Sequence, residues 1–238
     1  MSRQLCHAAF GLVLGIAVAA ATPLIAQSTN PVVVELYTSQ GCSSCPPTDE
    51  FAATLIDDPN VILLAMHVDY WDYIGWKDSF ANPAFTNRQK AYARASGSRT
   101  IYTPQLIVSG QERIEGYDPV RTKEQIARKA ELASGVTLSV TRDGDRLVIH
   151  AEAAAPLSEP AIIHLVRYRP SETVKIERGE NRGKTITYHN IVTKWEQLGT
   201  WSGTEPLDMT VPVPGAGPSV VLIQKPGPSE ILAAARTK

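Results

Sequence analysis

A β-branched run that ends in a cysteine pair constrains this chain more than any other feature. Val32-Val33-Val34-Glu35-Leu36-Tyr37-Thr38 reads as a strand buried on both faces. Four residues on, Cys42-Ser43-Ser44-Cys45 leads into Pro46-Pro47, which suit the first turn of a helix because a missing N–H costs nothing there. Gly41 supplies a flexible turn, Cys42 is expected at the helix start, and Asp49 and Glu50 follow where the helix dipole favours acids. A thiol so placed lies over unpaired backbone N–H groups, which lowers its pKa and makes a thiolate available.

The pattern continues as an α/β unit. The helix is expected to run to about Ile56, and Val61 to Val68 forms a second buried strand, giving strand, helix, strand with a right-handed parallel crossover. An aromatic segment, Tyr70 to Trp76, precedes a helix over 83–95. Thr103-Pro104 then introduces a strand over 105–108, a turn, a short strand over 113–116 and a helix over 120–134, with Gly135 as the boundary. Beyond it the texture alternates. A hairpin is expected from 136–140 and 146–150 around Asp143-Gly144-Asp145, with strands over 161–168, 184–191, 207–211, 220–224 and 231–234. The stretch from Lys175 to Lys184 reads as a solvated hairpin turn of mixed charge. The expected architecture is an α/β domain over 31–134, a central mixed sheet flanked by helices, followed by a smaller all-β, sandwich-like domain over 136–238.

Residues 1–26 are a different material. Arg3 and His7 precede an apolar, Ala-rich stretch from Ala8 to Ala21, the pattern of a secretory signal with Ala21 or Ala26 at the cleavage site. The uncharged run is short for a spanning helix of about 20 residues, so no stable membrane anchor is expected after cleavage. Cys6 leaves with the signal, and Cys42 and Cys45 are then the only cysteines, in a periplasmic or secreted and oxidising setting. A loop that short constrains the unfolded chain little, so a purely structural staple is a poor use of the pair. A zinc site needs two more ligands, and His67, His150, His164 and His189 are scattered, so neither a metal nor a cofactor is expected. With 23 basic and 24 acidic residues the chain has no footprint for nucleic acid.

Two motifs in this order, Cys42-Ser43-Ser44-Cys45 and Thr103-Pro104, resemble the thioredoxin superfamily over residues 31 to 134. That resemblance implies a thioredoxin-like fold with Cys42 as the attacking and Cys45 as the resolving cysteine. It also makes Pro104 a cis-proline lying against the pair, and gives Thr103 a hydrogen bond to an extended substrate strand. Glu35 falls near the buried acid that exchanges a proton with the resolving cysteine in that family. Gly41 and Ser43-Ser44 stand where thioredoxins carry Trp and Gly-Pro, which leaves the redox direction open. From residue 31 to the C-terminus the chain also resembles a secreted bacterial family of the DUF1223 type. The phrases that carry this are Glu35 to Pro47 and His67 to Asp78.

Tyr70, Trp71 and Trp76 are either a substrate-contacting loop or an aromatic cluster packed against the second domain. The expected function is exported thiol-disulfide exchange on protein thiols or disulfides or a small thiol, with an envelope redox partner among the candidates. A copper(I)-binding module and a non-catalytic envelope interaction protein are the alternatives.

Overall fold

The computed structural model describes residues 30–237; the expected signal and Cys6 lie outside them. Strand β1 (Val32–Thr38) and strand β2 (Val61–His67) are buried at every position and pair in parallel, joined by helix α1 (Pro46–Ala53). Helix α2 (Pro83–Ala95) is capped by the Asn82 side chain, which accepts from the Ala84 amide. Strands β3 (Gln105–Val108) and β4 (Glu112–Glu115) form a hairpin whose β3 runs antiparallel to β1, and helix α3 (Pro119–Ala130) follows. Asp118 caps α3 by accepting from the Arg121 amide.

The later strands divide between two sheets. Strands β5 (Val136–Asp143), β6 (Arg146–Ala153) and β9 (Leu207–Pro212) make a three-stranded antiparallel sheet. Strands β7 (Ala161–Lys175), β8 (Thr185–Trp201), β10 (Ser219–Gln224) and β11 (Ile231–Arg236) instead extend the first sheet. The result is eight strands in the order β11-β10-β7-β8-β2-β1-β3-β4, with β8 joined to β2 where Ala65 meets Ile191. After residue 135 the chain therefore leaves this sheet for β5 and β6 and returns to it with β7, β8, β10 and β11, where the pattern along the sequence predicts a separate β-layer.

Strands β7 and β8 are much longer than the alternation predicts. For β7 the added length runs past Pro170, although a proline removes a ladder donor. Here the ladder steps over it, pairing Arg169 with Ile191 and Ser171 with His189, while Asn190 opposite takes φ 47°.

Side-chain alternation sorts the core by sheet face. Val32, Val34 and Leu36 pack with Phe51 and Leu55 under α1. Val33, Tyr37, Leu64 and Met66 pack with Phe85 and Tyr92 of α2 on the other face. At the far end Ile163, Leu165, Val221 and Ile223 meet Leu147 and Ile149 of the small sheet. Every strand of the large sheet thus has cover, and the loop between β1 and α1 is held at one end of it.

Candidate functional site

Cys42 and Cys45 sit in that loop, joined as a disulfide with 5.4 Å between their Cα atoms. The helix starts later than its sequence suggests: Cys45 is the N-cap and Pro46 the first helical residue. The turn before it closes through Cys42 N–H to Ser39 O at 3.1 Å and Cys45 N–H to Cys42 O at 3.3 Å. The two prolines carry no N–H, and the next amides, Thr48 and Asp49, both bond to Cys45 O. The row of free donors expected over Cys42 is therefore largely absent, and the helix contributes less to a thiolate than the sequence alone implies. Ser44 supplies the nearest polar contact, its Oγ 3.4 Å from Cys42 Sγ and 3.4 Å from Thr103 O, to which it donates.

Under the pair lies a polar cluster on the α1 face. Asp49 follows Cys45 by four residues on the same helix, a spacing that puts side chains one above the other. Burial pushes the Asp49 carboxyl up to about 7, against the opposing pull of nearby His67. His67, at the end of β2, is wholly buried and shares a 2.7 Å hydrogen bond between Nδ1 and Asp78 Oδ2. Asp78 Oδ2 also accepts the Gln40 amide at 2.8 Å, tying this cluster to the residue two before Cys42. Asp49 Oδ2, His67 Nε2 and Thr38 Oγ1 are buried without a hydrogen-bond partner among the described residues.

Residues 33–224 match the family described as a protein of unknown function, DUF1223. The chain belongs to the DUF1223 family. A crystallised protein of Agrobacterium tumefaciens, AGR_C_4864, is 32% identical, with a TM-score of 0.77 over 89% of this chain and 95% of its own. HBP35 of Porphyromonas gingivalis is 16% identical, with a TM-score of 0.61 over 87% of this chain and 74% of its own, and shares the fold alone. No curated protein matches by sequence.

In this DUF1223 member the expected site residues separate into two groups. Thr103 and Pro104, joined by a cis peptide bond, stand beside the disulfide through Ser44. Trp71 donates from Nε1 to Thr103 Oγ1 at 2.6 Å, and its Cβ lies 3.2 Å from where a Gly41 Cβ would be. Trp76 Nε1 donates to Gln40 Oε1 at 2.8 Å. Both Trp residues therefore wall the cysteine loop, while Tyr70 turns its hydroxyl to Gln89 Oε1.

Glu35 is the exception, and the structure does not bring it to the dithiol. It shares a sheet face with Tyr37 and α2, opposite α1. There Arg88 grips it through Nε at 2.9 Å and Nη2 at 2.8 Å, and the hydroxyls of Tyr37 and Tyr92 donate to it at 3.0 and 2.5 Å. The residues that sequence reasoning missed are Asp49, His67, Asp78 and Asn181. Asp49 had a legible signal in its four-residue offset from Cys45.

Proposed function

We propose that this protein is an exported thiol-disulfide oxidoreductase, and that its first half is thioredoxin-like in architecture. The observation that carries the reading is a lone dithiol at a strand-to-helix junction, flanked by Thr103 and lying one helical turn from a buried carboxyl whose pKa is raised to about 7. The Cys42 thiolate attacks a substrate disulfide, one substrate sulfur leaves, and a mixed disulfide forms. Cys45, deprotonated, then attacks Cys42 Sγ and expels the second substrate sulfur, so the protein becomes oxidised as the substrate is reduced. Run backwards, the same steps oxidise a dithiol.

Asp49 takes the role that the sequence offered to Glu35. A carboxyl that titrates near neutrality can accept the Cys45 proton and return it when the disulfide opens. Asp49 has an unpartnered oxygen for this, whereas both Glu35 oxygens are occupied. The oxidising compartment rests on the secretory pattern of residues 1–26, and the substrates are protein or small-molecule thiols and disulfides.

Cys42→Ala abolishes catalysed exchange on this reading; unchanged turnover in that variant rejects it. Equilibration with glutathione buffers gives a second check. A potential between about −270 and −120 mV marks a catalytic pair, and one below about −300 mV marks an inert disulfide.

A further inference from the structure

The turn between β7 and β8 looks like a solvated loop in sequence, yet its Asn181 is only 1% exposed. Asn181 Nδ2 donates to Gln40 O at 3.0 Å and to Cys42 O at 2.8 Å, bridging 141 and 139 residues of sequence to grip the carbonyls on either side of Gly41. Lys184 Nζ donates to Asn181 Oδ1 at 2.8 Å, which fixes which end of the amide faces the cysteine loop.

The turn is firmly built. Gly183 N–H bonds to Ile176 O at 2.8 Å and Ile176 N–H to Lys184 O at 2.9 Å. Gly179, at φ 73°, lies so close to the aromatic segment that a Cβ there would come within 3.2 Å of Trp76 Cβ. Lower on the hairpin, Tyr188 packs edge-on against His67 with ring centroids 4.8 Å apart.

The consequence falls on the disulfide. Cys42 is 1% exposed and Cys45 is fully buried, so neither sulfur is offered to a broad protein surface. Ser43 and Ser44, by contrast, are exposed, and the Ser44 hydroxyl adjoins Cys42 Sγ. The exposed part of the cysteine loop is thus its two serines, while Asn181 holds the backbone on either side of Gly41.

We propose that Asn181 and the β7–β8 turn select small thiols over folded proteins as exchange partners of Cys42–Cys45. This rests on the thiol-disulfide reading above and names its substrate class. A small thiolate attacks Cys42 Sγ, the Cys42–Cys45 bond breaks, and Cys45 leaves as a thiolate and takes up a proton. A second small thiolate attacks the outer sulfur of the mixed disulfide and frees Cys42. In sum, two thiols become one small disulfide as the protein disulfide becomes a dithiol. Asn181 touches no reacting atom and acts as a positioning residue.

The test measures second-order rates for opening the disulfide of the full chain with two probes, glutathione and reduced thioredoxin as a folded dithiol protein. In the native chain glutathione is expected to react and thioredoxin to react far more slowly. Asn181→Ala removes two hydrogen bonds and is expected to raise the thioredoxin rate about tenfold while moving the glutathione rate less than about threefold. Lys184→Ala, which frees the amide but keeps it, is expected to give a smaller rise with the same selectivity. This second variant carries the test if Asn181→Ala fails to fold.

Equal acceleration with both probes, or no change with either, overturns the proposal. Catalytic turnover is assayed separately. A selective rate change without turnover supports the gate and rejects the oxidoreductase reading, and turnover with an unselective response does the reverse.

Discussion

Two buried polar clusters lie on opposite faces of the same sheet, and they are built to different standards. Around Glu35 both carboxylate oxygens are engaged. Arg88 bonds the carboxylate twice, stacks 3.7 Å above the Trp195 ring and donates to Gln224 Oε1, while Gln224 Nε2 donates to Tyr92 and Ser229 O. Burial works against the Arg88 cation, but the adjacent Glu35 carboxylate more than offsets it and leaves its pKa raised. Around Asp49, three buried atoms have no hydrogen-bond partner among the described residues. A satisfied network rigidifies a core, whereas unpartnered groups beside a dithiol keep capacity for proton exchange. The acid with the more elaborate surroundings is thus the structural one, and the acid with fewer bonds is the candidate for chemistry.

That contrast is broken most forcefully at Glu35. Glu35→Ala leaves the Arg88 charge buried without its counter-ion and is expected to lower unfolding stability by about 3–5 kcal/mol in urea titrations. The reduction potential of the disulfide is expected to stay put. A stability loss under about 1 kcal/mol, or a shifted potential, places Glu35 in the wrong cluster.

Asp49→Asn is expected to act in the opposite direction at neutral pH. The native carboxyl titrates near 7 against a usual 3.8, so below about 4 it is protonated in both folded and unfolded chains and carries no penalty. As pH rises from about 4 to about 7 only the unfolded chain ionises, and native stability falls, with a ceiling on the order of 4 kcal/mol. The variant lacks this slope and gains on the native protein at pH 8, while its disulfide exchange slows. Urea midpoints at pH 5 and 8 decide it. Parallel profiles contradict the assignment.

His164 sharpens the other side of the comparison. Burial, aided by the Arg88 charge, lowers its pKa from 6.5 to about 4. Between those values the unfolded chain takes up a proton and the folded one does not, so stability drops as pH falls through that window, by up to about 3 kcal/mol. His164→Phe is expected to flatten that acid limb and leave exchange rates alone.

The smallest effect is expected at the wall of the dithiol. Trp71→Phe loses the single bond to Thr103 Oγ1, about 1 kcal/mol of stability, measured by thermal unfolding. A change in exchange rate larger than the change in stability assigns Trp71 to substrate contact as well as packing.

Much of the frame was legible because its signals are local. The runs Val32 to Thr38 and Val61 to His67 are apolar at nearly every position and became central parallel strands. The helix expected over 83–95 formed as Pro83–Ala95. The length of β7 was not legible, because a proline inside a strand is tolerated only when the ladder can step over it, and nothing near residue 170 reveals that. Glu35 misled through geometry: alternation assigns it to the face opposite Leu36, but which face α1 covers depends on the crossover.

By itself, then, the sequence determined the order of the strands and helices, that one cysteine pair stands at a strand-to-helix junction, and that Thr103-Pro104 begins the next strand. These follow from periodicity, proline chemistry and burial over a few residues. Only the tertiary structure decided which acid lies beneath the pair, that four late strands complete the first sheet, and that Asn181 reaches across about 140 residues to hold the carbonyls beside Cys42. Such contacts depend on how long hairpins and sheet faces come together in space, and no pattern within a helix turn or a strand repeat encodes them.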